Sequence, residues 1–202
     1  MSDLLPFLLF ALASSATPGP NNALIAASAA HHGPRAVVPH ALGISLGFGA
    51  MVVLVGLGLA GPLAASPALH GVLRWVGAAW MVWIAWQIAR ADAPGASAEA
   101  PRMGFWAAAG FQWVNPKAWL IAVAATATYT DARLPLVPQV LLLAAVFVLV
   151  ALPCLAAWAV LGAGAGRLLR APGRAAHPGR MRAFNLCMAA LLLASVVPAV
   201  LG

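Results

Sequence analysis

Apolar runs divide this chain at residues of about 4–30, 36–63, 69–91, 104–130, 138–166 and 183–201, and that layout constrains the fold more than any motif does. Crossing a hydrocarbon core of about 30 Å takes roughly 20 helical residues, so each run predicts one membrane-spanning helix. Lipid offers the backbone no hydrogen bonds, which leaves the helix as the conformation that satisfies such a run internally. Composition agrees: 63% of the 202 residues are hydrophobic and 7% are charged, against about 25% charged in a soluble domain. Mean hydropathy is +0.94. The expected fold is an all-α integral membrane protein of six transmembrane helices, a single domain over residues 1–202. The opening Met-Ser-Asp lacks the Lys/Arg of a signal peptide, so the first run is read as part of a span.

That first run is interrupted in its middle by Thr17-Pro18-Gly19-Pro20-Asn21-Asn22. Pro18 and Pro20 lack N–H groups and crowd the carbonyls of Ser14 and Ala16, while Gly19 permits a sharp bend. Two carbonyls are expected to be left free for a ligand. Beyond the break, Pro18 or Pro20 opens a new half-helix, with Thr17 or Gly19 as its cap. Its unpaired N–H groups attract an anion such as a carboxylate. The plainer alternative is a kink that only shapes packing. The fourth run carries a second interruption, Gln112-Trp113-Val114-Asn115-Pro116-Lys117. There Asn115 can cap and Pro116 can open a restarted helix, and the Gln112 carbonyl loses its usual donor.

Each half of the chain, about 1–91 and 103–202, thus has three spans, the first broken by proline. An odd number of spans per half inserts the second half upside down, and paired broken helices in inverted halves point to a transporter site near the bilayer midplane. The candidate substrate-binding residues are Pro18, Gly19, Pro20, Asn21, Asn22, Gln112, Asn115, Pro116 and Lys117. Lys117 is the one charged residue deep in a span, since Asp3, Asp92, Glu99 and Asp131 fall at ends or loops. A substrate carboxylate would answer its charge. Alternatively its ammonium snorkels to an interface or bonds the freed carbonyls. The histidines His31, His32, His40, His70 and His177 fall at predicted ends or loops. His40 joins Lys117 as a proton-coupling candidate, the alternative being a solvated loop histidine.

Cys154 and Cys187 show no C-x-x-C or Cys/His spacing, so neither a metal site nor a disulfide framework is expected. No Ser/His/Asp layout, paired carboxylates or H-E-x-x-H appears, which excludes the usual membrane hydrolases and leaves no catalytic residue or cofactor to assign. The alternatives that stay open are a membrane-embedded enzyme and a non-transporting membrane subunit. A net charge of +7 does not imply nucleic acid, because the arginines are scattered through short loops without interleaved aromatics. Loops one, three and five hold Arg35, Arg90, Arg102, Arg167, Arg170, Arg174, Arg180 and Arg182; the other side holds Arg74 and Arg133. The positive-inside rule then places a multi-pass protein in the cytoplasmic membrane with both termini outside the cytoplasm. Loop five can touch anionic lipid headgroups. Gly43-x-x-x-Gly47, with Gly49, Gly56 and Gly58, forms a small-residue face for close helix packing and a candidate homodimer contact. Trp75 and Trp86 suit the two interfaces, and Trp80 and Trp83 lie deeper as packing or lipid-facing residues.

Thr17-Pro18-Gly19-Pro20-Asn21, Arg74-Trp75-Val76-Gly77-Ala78-Ala79-Trp80, and Gly110 with Asn115-Pro116-Lys117-Ala118 together resemble the LysE/RhtB family of small amino-acid exporters. The resemblance covers nearly the whole chain. It implies an inner-membrane, six-helix exporter of amino acids or close derivatives, driven by the proton gradient. Departures from the family pattern are Trp80 for Tyr, Arg74 for Lys, and Ala189-Ala190 where Gly is frequent.

Overall fold

The computed structural model describes residues 4–59, 61, 66–91, 102–169, 178–195 and 197. Among the described residues eight α-helices follow in order: α1 Leu4–Ala16, α2 Pro20–His32, α3 Val38–Leu54, α4 Pro67–Arg90, α5 Phe105–Phe111, α6 Pro116–Tyr129, α7 Leu136–Leu169 and α8 Pro178–Ala194. A 3-10 turn, Pro34–Val37, leads into α3, and a π-helical turn, Val55–Leu59, continues it. Three stretches, Pro34–Leu59, Gly71–Arg90 and Leu136–Leu169, are each long and apolar enough to cross a membrane. The first and fourth apolar runs are both pairs of shorter helices, α1 with α2 and α5 with α6. Asp3, Pro62, Asp92, Glu99, Arg170, Arg174 and His177 lie outside the described residues, as does the His70 side chain. The last run begins earlier than its hydropathy suggests, at Pro178.

Small residues organise the interior. A Cβ at Gly162 or Gly166 would strike the carbonyl oxygen of Ala26 or Ala30, so α2 lies with its backbone directly on α7. Residues 22 to 30 of α2 are all buried as a result. Gly43 and Gly47 do the same for α5: a Cβ at Gly47 would stand 2.6 Å from Ala109 Cα, and one at Gly43 would meet the Phe105 carbonyl oxygen. The expected close approach is there, but it is made within one chain. This face is covered by α5, so it is not available for the homodimer contact expected of it. At Gly58 an added Cβ would meet none of the described residues; at φ 108 this glycine turns the chain, as Gly33 does at φ 84 where α2 ends. The outer surface is apolar instead: Leu120, Leu149 and Leu168 are 67%, 70% and 74% exposed. Close backbone contacts at glycine, with leucine exposed on the outer surface, form the arrangement that lipid favours, because there close packing holds the helices together.

The two ends of the bundle differ in charge. At one end Asn185 of α8 donates to the Ala91 carbonyl after α4, and its Oδ1 lies 3.2 Å from His31 Nε2 at the end of α2. Arg35, Arg90, Arg167, Arg180 and Arg182 belong to the helix ends gathered there. The opposite end carries the start of α1 and the turn of Asp131 and Arg133 between α6 and α7. On α4, Trp75, Trp80, Trp83 and Trp86 are all exposed, with Arg90 stacked over Trp86 at 4.2 Å.

Candidate functional site

Of the sequence alternatives for the first break, Pro20 opens α2 and Gly19, fully extended at φ −175 and ψ −178, precedes it without a side-chain cap. The freed carbonyls are not vacant, contrary to expectation. Thr17 Oγ1 donates to the Ser14 carbonyl at 3.2 Å, and Trp158 Nε1 reaches from α7 to that of Ala16 at 3.1 Å. Asn22 Nδ2 donates to Ser15 O at 3.0 Å and Thr17 O at 2.8 Å. Lys117 Nζ completes the set, donating to Thr17 O at 2.9 Å, Thr17 Oγ1 at 3.0 Å and Pro18 O at 3.3 Å. Where no water is at hand, a broken helix has to satisfy its carbonyls within the protein, and these bonds do so.

At the second break the chain tightens into a 3-10 turn, Gln112–Val114, and Asn115 turns extended at φ −88 and ψ 109. Asn115 Oδ1 accepts from the Lys117 N–H at 3.1 Å, capping α6 behind Pro116 as the sequence predicts. The Gln112 carbonyl is not donorless either, because it accepts from the Asn115 N–H at 3.3 Å. Lys117 sits in the first turn of α6, where the helix dipole disfavours a cation, yet its side chain crosses to the carbonyl end of α1, where the dipole favours one. Gly19 leaves the room for that crossing: a Cβ there would lie 2.9 Å from Lys117 Cδ. The second alternative in the sequence, a lysine bonded to freed carbonyls, comes near this geometry, but the carbonyls it bonds are those of Thr17 and Pro18 and not the Ser14 and Ala16 carbonyls that the prolines free.

The two breaks are joined by a reciprocal amide pair. Asn21 Nδ2 donates to Gln112 Oε1 at 2.9 Å, and Gln112 Nε2 returns a bond to Asn21 Oδ1 at 3.2 Å and another to the Ala108 carbonyl at 2.9 Å. Beside this pair lies a cavity of about 60 Å³, room for about two waters at liquid density. Gly19, Pro20, Asn21, Asn22, Gln112, Asn115 and Lys117 all line it, and Ile44, Phe48 and Leu155 supply apolar wall. Pro18 and Pro116 shape the breaks from outside the lining. Ser14 and Ser15, which the sequence reading passed over, line it too. Substituting Gln112 by Leu strands Asn21, and about 1–3 kcal/mol of stability is expected to go with it. The Asn21→Leu, Gln112→Leu double variant recovers part of that loss, and a double-mutant cycle on thermal unfolding in detergent should give a coupling of about 1 kcal/mol.

His40 corrects the sequence reading. It is not a solvated loop histidine but the third residue of α3, 1% exposed, and among the described residues neither ring nitrogen has a hydrogen-bond partner. One turn further along the same face is Ile44, in the cavity wall. Ser28 and Ser45 are likewise buried with unpartnered hydroxyls. Among the described residues no three His, Cys, Asp or Glu side chains gather as metal ligands.

A helical bundle with lipid-type packing, whose two interrupted helices meet at a half-open cavity that amides and a lysine help to line, has the architecture of a membrane transporter. The chain belongs to the LysE type translocator family, which matches residues 12–197. It is therefore a multi-pass membrane protein and not an enzyme. It is similar to proteins named cysteine/O-acetylserine efflux protein from Salmonella choleraesuis (strain SC-B67), Salmonella typhimurium and Escherichia coli (strain K12). Each is 40% identical over 124 residues, 61% of this chain and 63% of the relative. The match thus spans less than two thirds of those relatives. No solved structure matches the chain.

Proposed function

We propose that the chain exports amino acids or close derivatives across the cytoplasmic membrane by alternating access, driven by the proton gradient. The observation that carries this reading is the meeting of the two breaks at Asn21 and Gln112 beside a cavity. Family membership supports export, and the names of the relatives point to cysteine and O-acetylserine as substrates. In this reading α1 with α2, α3, α4, α5 with α6, α7 and α8 make six crossings, in two inverted halves over 1–91 and 103–202. The arginine-rich end faces the cytoplasm and both termini lie outside. The uncapped start of α2 receives the solute carboxylate, and the amides of Asn21, Asn22, Asn115 and Gln112 receive its amino group. The three protons of Lys117 Nζ are spoken for by Thr17 and Pro18, so an arriving carboxylate competes with those carbonyls for the ammonium. Such competition gives the solute different contacts in the two states, which is what moves a conformational equilibrium. His40 and Lys117 are the candidates for proton coupling.

A non-transporting subunit has no use for a polar cavity between broken helices, and a membrane enzyme needs a catalytic cluster where this cavity holds amides. The test is uptake of labelled cysteine and O-acetylserine into everted vesicles. Uptake that a protonophore abolishes, and that is lost in the Lys117→Ala, Pro20→Ala double variant, is the expected result; uptake unaltered in that variant removes the mechanism.

A further inference from the structure

We propose that the rings of Phe48, Phe147, Phe7 and Tyr129 form a closed gate that seals the central cavity from a second, outer solute chamber beside Asp131. This rests on the transport reading above. The second cavity, about 310 Å³, lies between the start of α1 and the turn from α6 to α7, at the end of the bundle opposite the clustered arginines. It is several times roomier than the central one, and its lining includes Phe7, Thr128, Tyr129, Asp131 and Gln139. Asp131 is the only carboxylate among the described residues. It is held in place by accepting from the Arg133 N–H at 2.9 Å, and the turn around it is closed by Gln139, which donates to the carbonyls of Asp131, Leu134 and Pro135. A chamber with one fixed negative charge suits the ammonium end of a zwitterion.

Between the two cavities runs an unbroken series of ring contacts. Phe48, in the wall of the central cavity, meets Phe147 edge-on at 5.1 Å; Phe147 meets Phe7 at 5.4 Å; and Phe7 meets Tyr129, in the wall of the outer chamber, at 5.0 Å. Phe10 closes the side, 5.8 Å from Tyr129 and 6.3 Å from Phe147. Phe7 and Phe147 are 3% and 1% exposed, so no water column passes them. Phe7 and Tyr129 also sit on half-helices, α1 ending at the first break and α6 starting from the second, so either can tilt without carrying its other half along. Offset and edge-on ring contacts have broad geometric preferences and can be remade after sliding, as a gate requires.

The experiment is thiol accessibility in a chain freed of cysteine by Cys154→Ala and Cys187→Ala. Ser14→Cys reports the central cavity and Thr128→Cys the outer chamber, probed with a membrane-impermeant methanethiosulfonate in right-side-out and in everted vesicles. Thr128→Cys identifies the face on which the chamber opens. From that face Ser14→Cys is expected to be protected, and Phe147→Ala is expected to raise its labelling rate at least tenfold while leaving Thr128→Cys unchanged. Phe48→Ala serves as the second opening variant where Phe147→Ala is not monodisperse in gel filtration. Fast labelling of Ser14→Cys from that face with all rings present, or a rate that neither opening variant raises, overturns the gate. Failure of the transport reading looks different: no uptake by the unaltered chain, whatever the labelling pattern.

Discussion

Lys117→Ala abolishes uptake into everted vesicles and lowers the unfolding temperature in detergent by about 5 °C, the shift that a loss of about 2 kcal/mol produces in a chain of this size. The ammonium donates to three oxygens on the far side of the first break, and for the Pro18 carbonyl it is the donor at hydrogen-bond distance. Thr17 O keeps Asn22 at 2.8 Å, so the loss concentrates on Pro18 and on the tie between α6 and α1. Lys117→Met separates the two contributions, since it keeps the stem lying on Gly19 and removes only the donors. It is expected to behave like alanine in uptake and to lose little packing. Lys117→Arg does not restore function, because the guanidinium fork is wider and planar and Gly19 leaves clearance for a slim stem. Wild-type uptake in Lys117→Met would show that the ammonium is not what holds the breaks for transport.

Lys117 also marks how far the sequence could be read. An isolated intramembrane charge beside a helix restart announces a partner, but the sequence does not say which of two partners, a solute or the freed carbonyls across the gap. The breaks themselves were legible, because proline and glycine act through local backbone geometry, and Pro20, Asn115 and Pro116 play the parts their types dictate. Trp158 was not legible. Its bond to Ala16 spans 142 residues and depends on which face of α7 meets α1, a choice made by packing. His40 falls just inside the second apolar run in both sequence and structure, but its burial was not legible, because which face of α3 is covered is decided by packing and not by the local sequence. The Asn21–Gln112 pairing follows from two breaks facing each other, which the layout of inverted halves suggested without fixing the partners. The ring series from Phe48 to Tyr129 draws on four helices and has no signature in any one of them. The same holds for Gly162-x-x-x-Gly166: its spacing is visible, but inside so long an apolar run nothing distinguishes it from Gly164 between them.

That distinction makes the sharpest test of the packing. Gly162→Ala and Gly164→Ala change the same residue type in the same helix two positions apart, and their effects are expected to have opposite signs. At Gly162 the new Cβ collides with the Ala26 carbonyl oxygen and lies 2.7 Å from its Cα, and backbone cannot step aside as a side-chain tip can. The helices must separate, and overpacking of this kind costs about 1–3 kcal/mol or more. At Gly164 nothing lies within 4 Å of the new atom, so alanine there should stabilise the helix by up to about 1 kcal/mol through propensity alone. Propensity is common to both variants, and the difference between their unfolding temperatures therefore isolates the contact of α2 with α7. Because α2 carries Asn21 and Asn22 into the cavity, Gly162→Ala should also lose uptake while Gly164→Ala retains it. Equal unfolding temperatures for the two variants would mean that α2 does not rest on Gly162, and the position of the amides at the cavity would lose its support along with it.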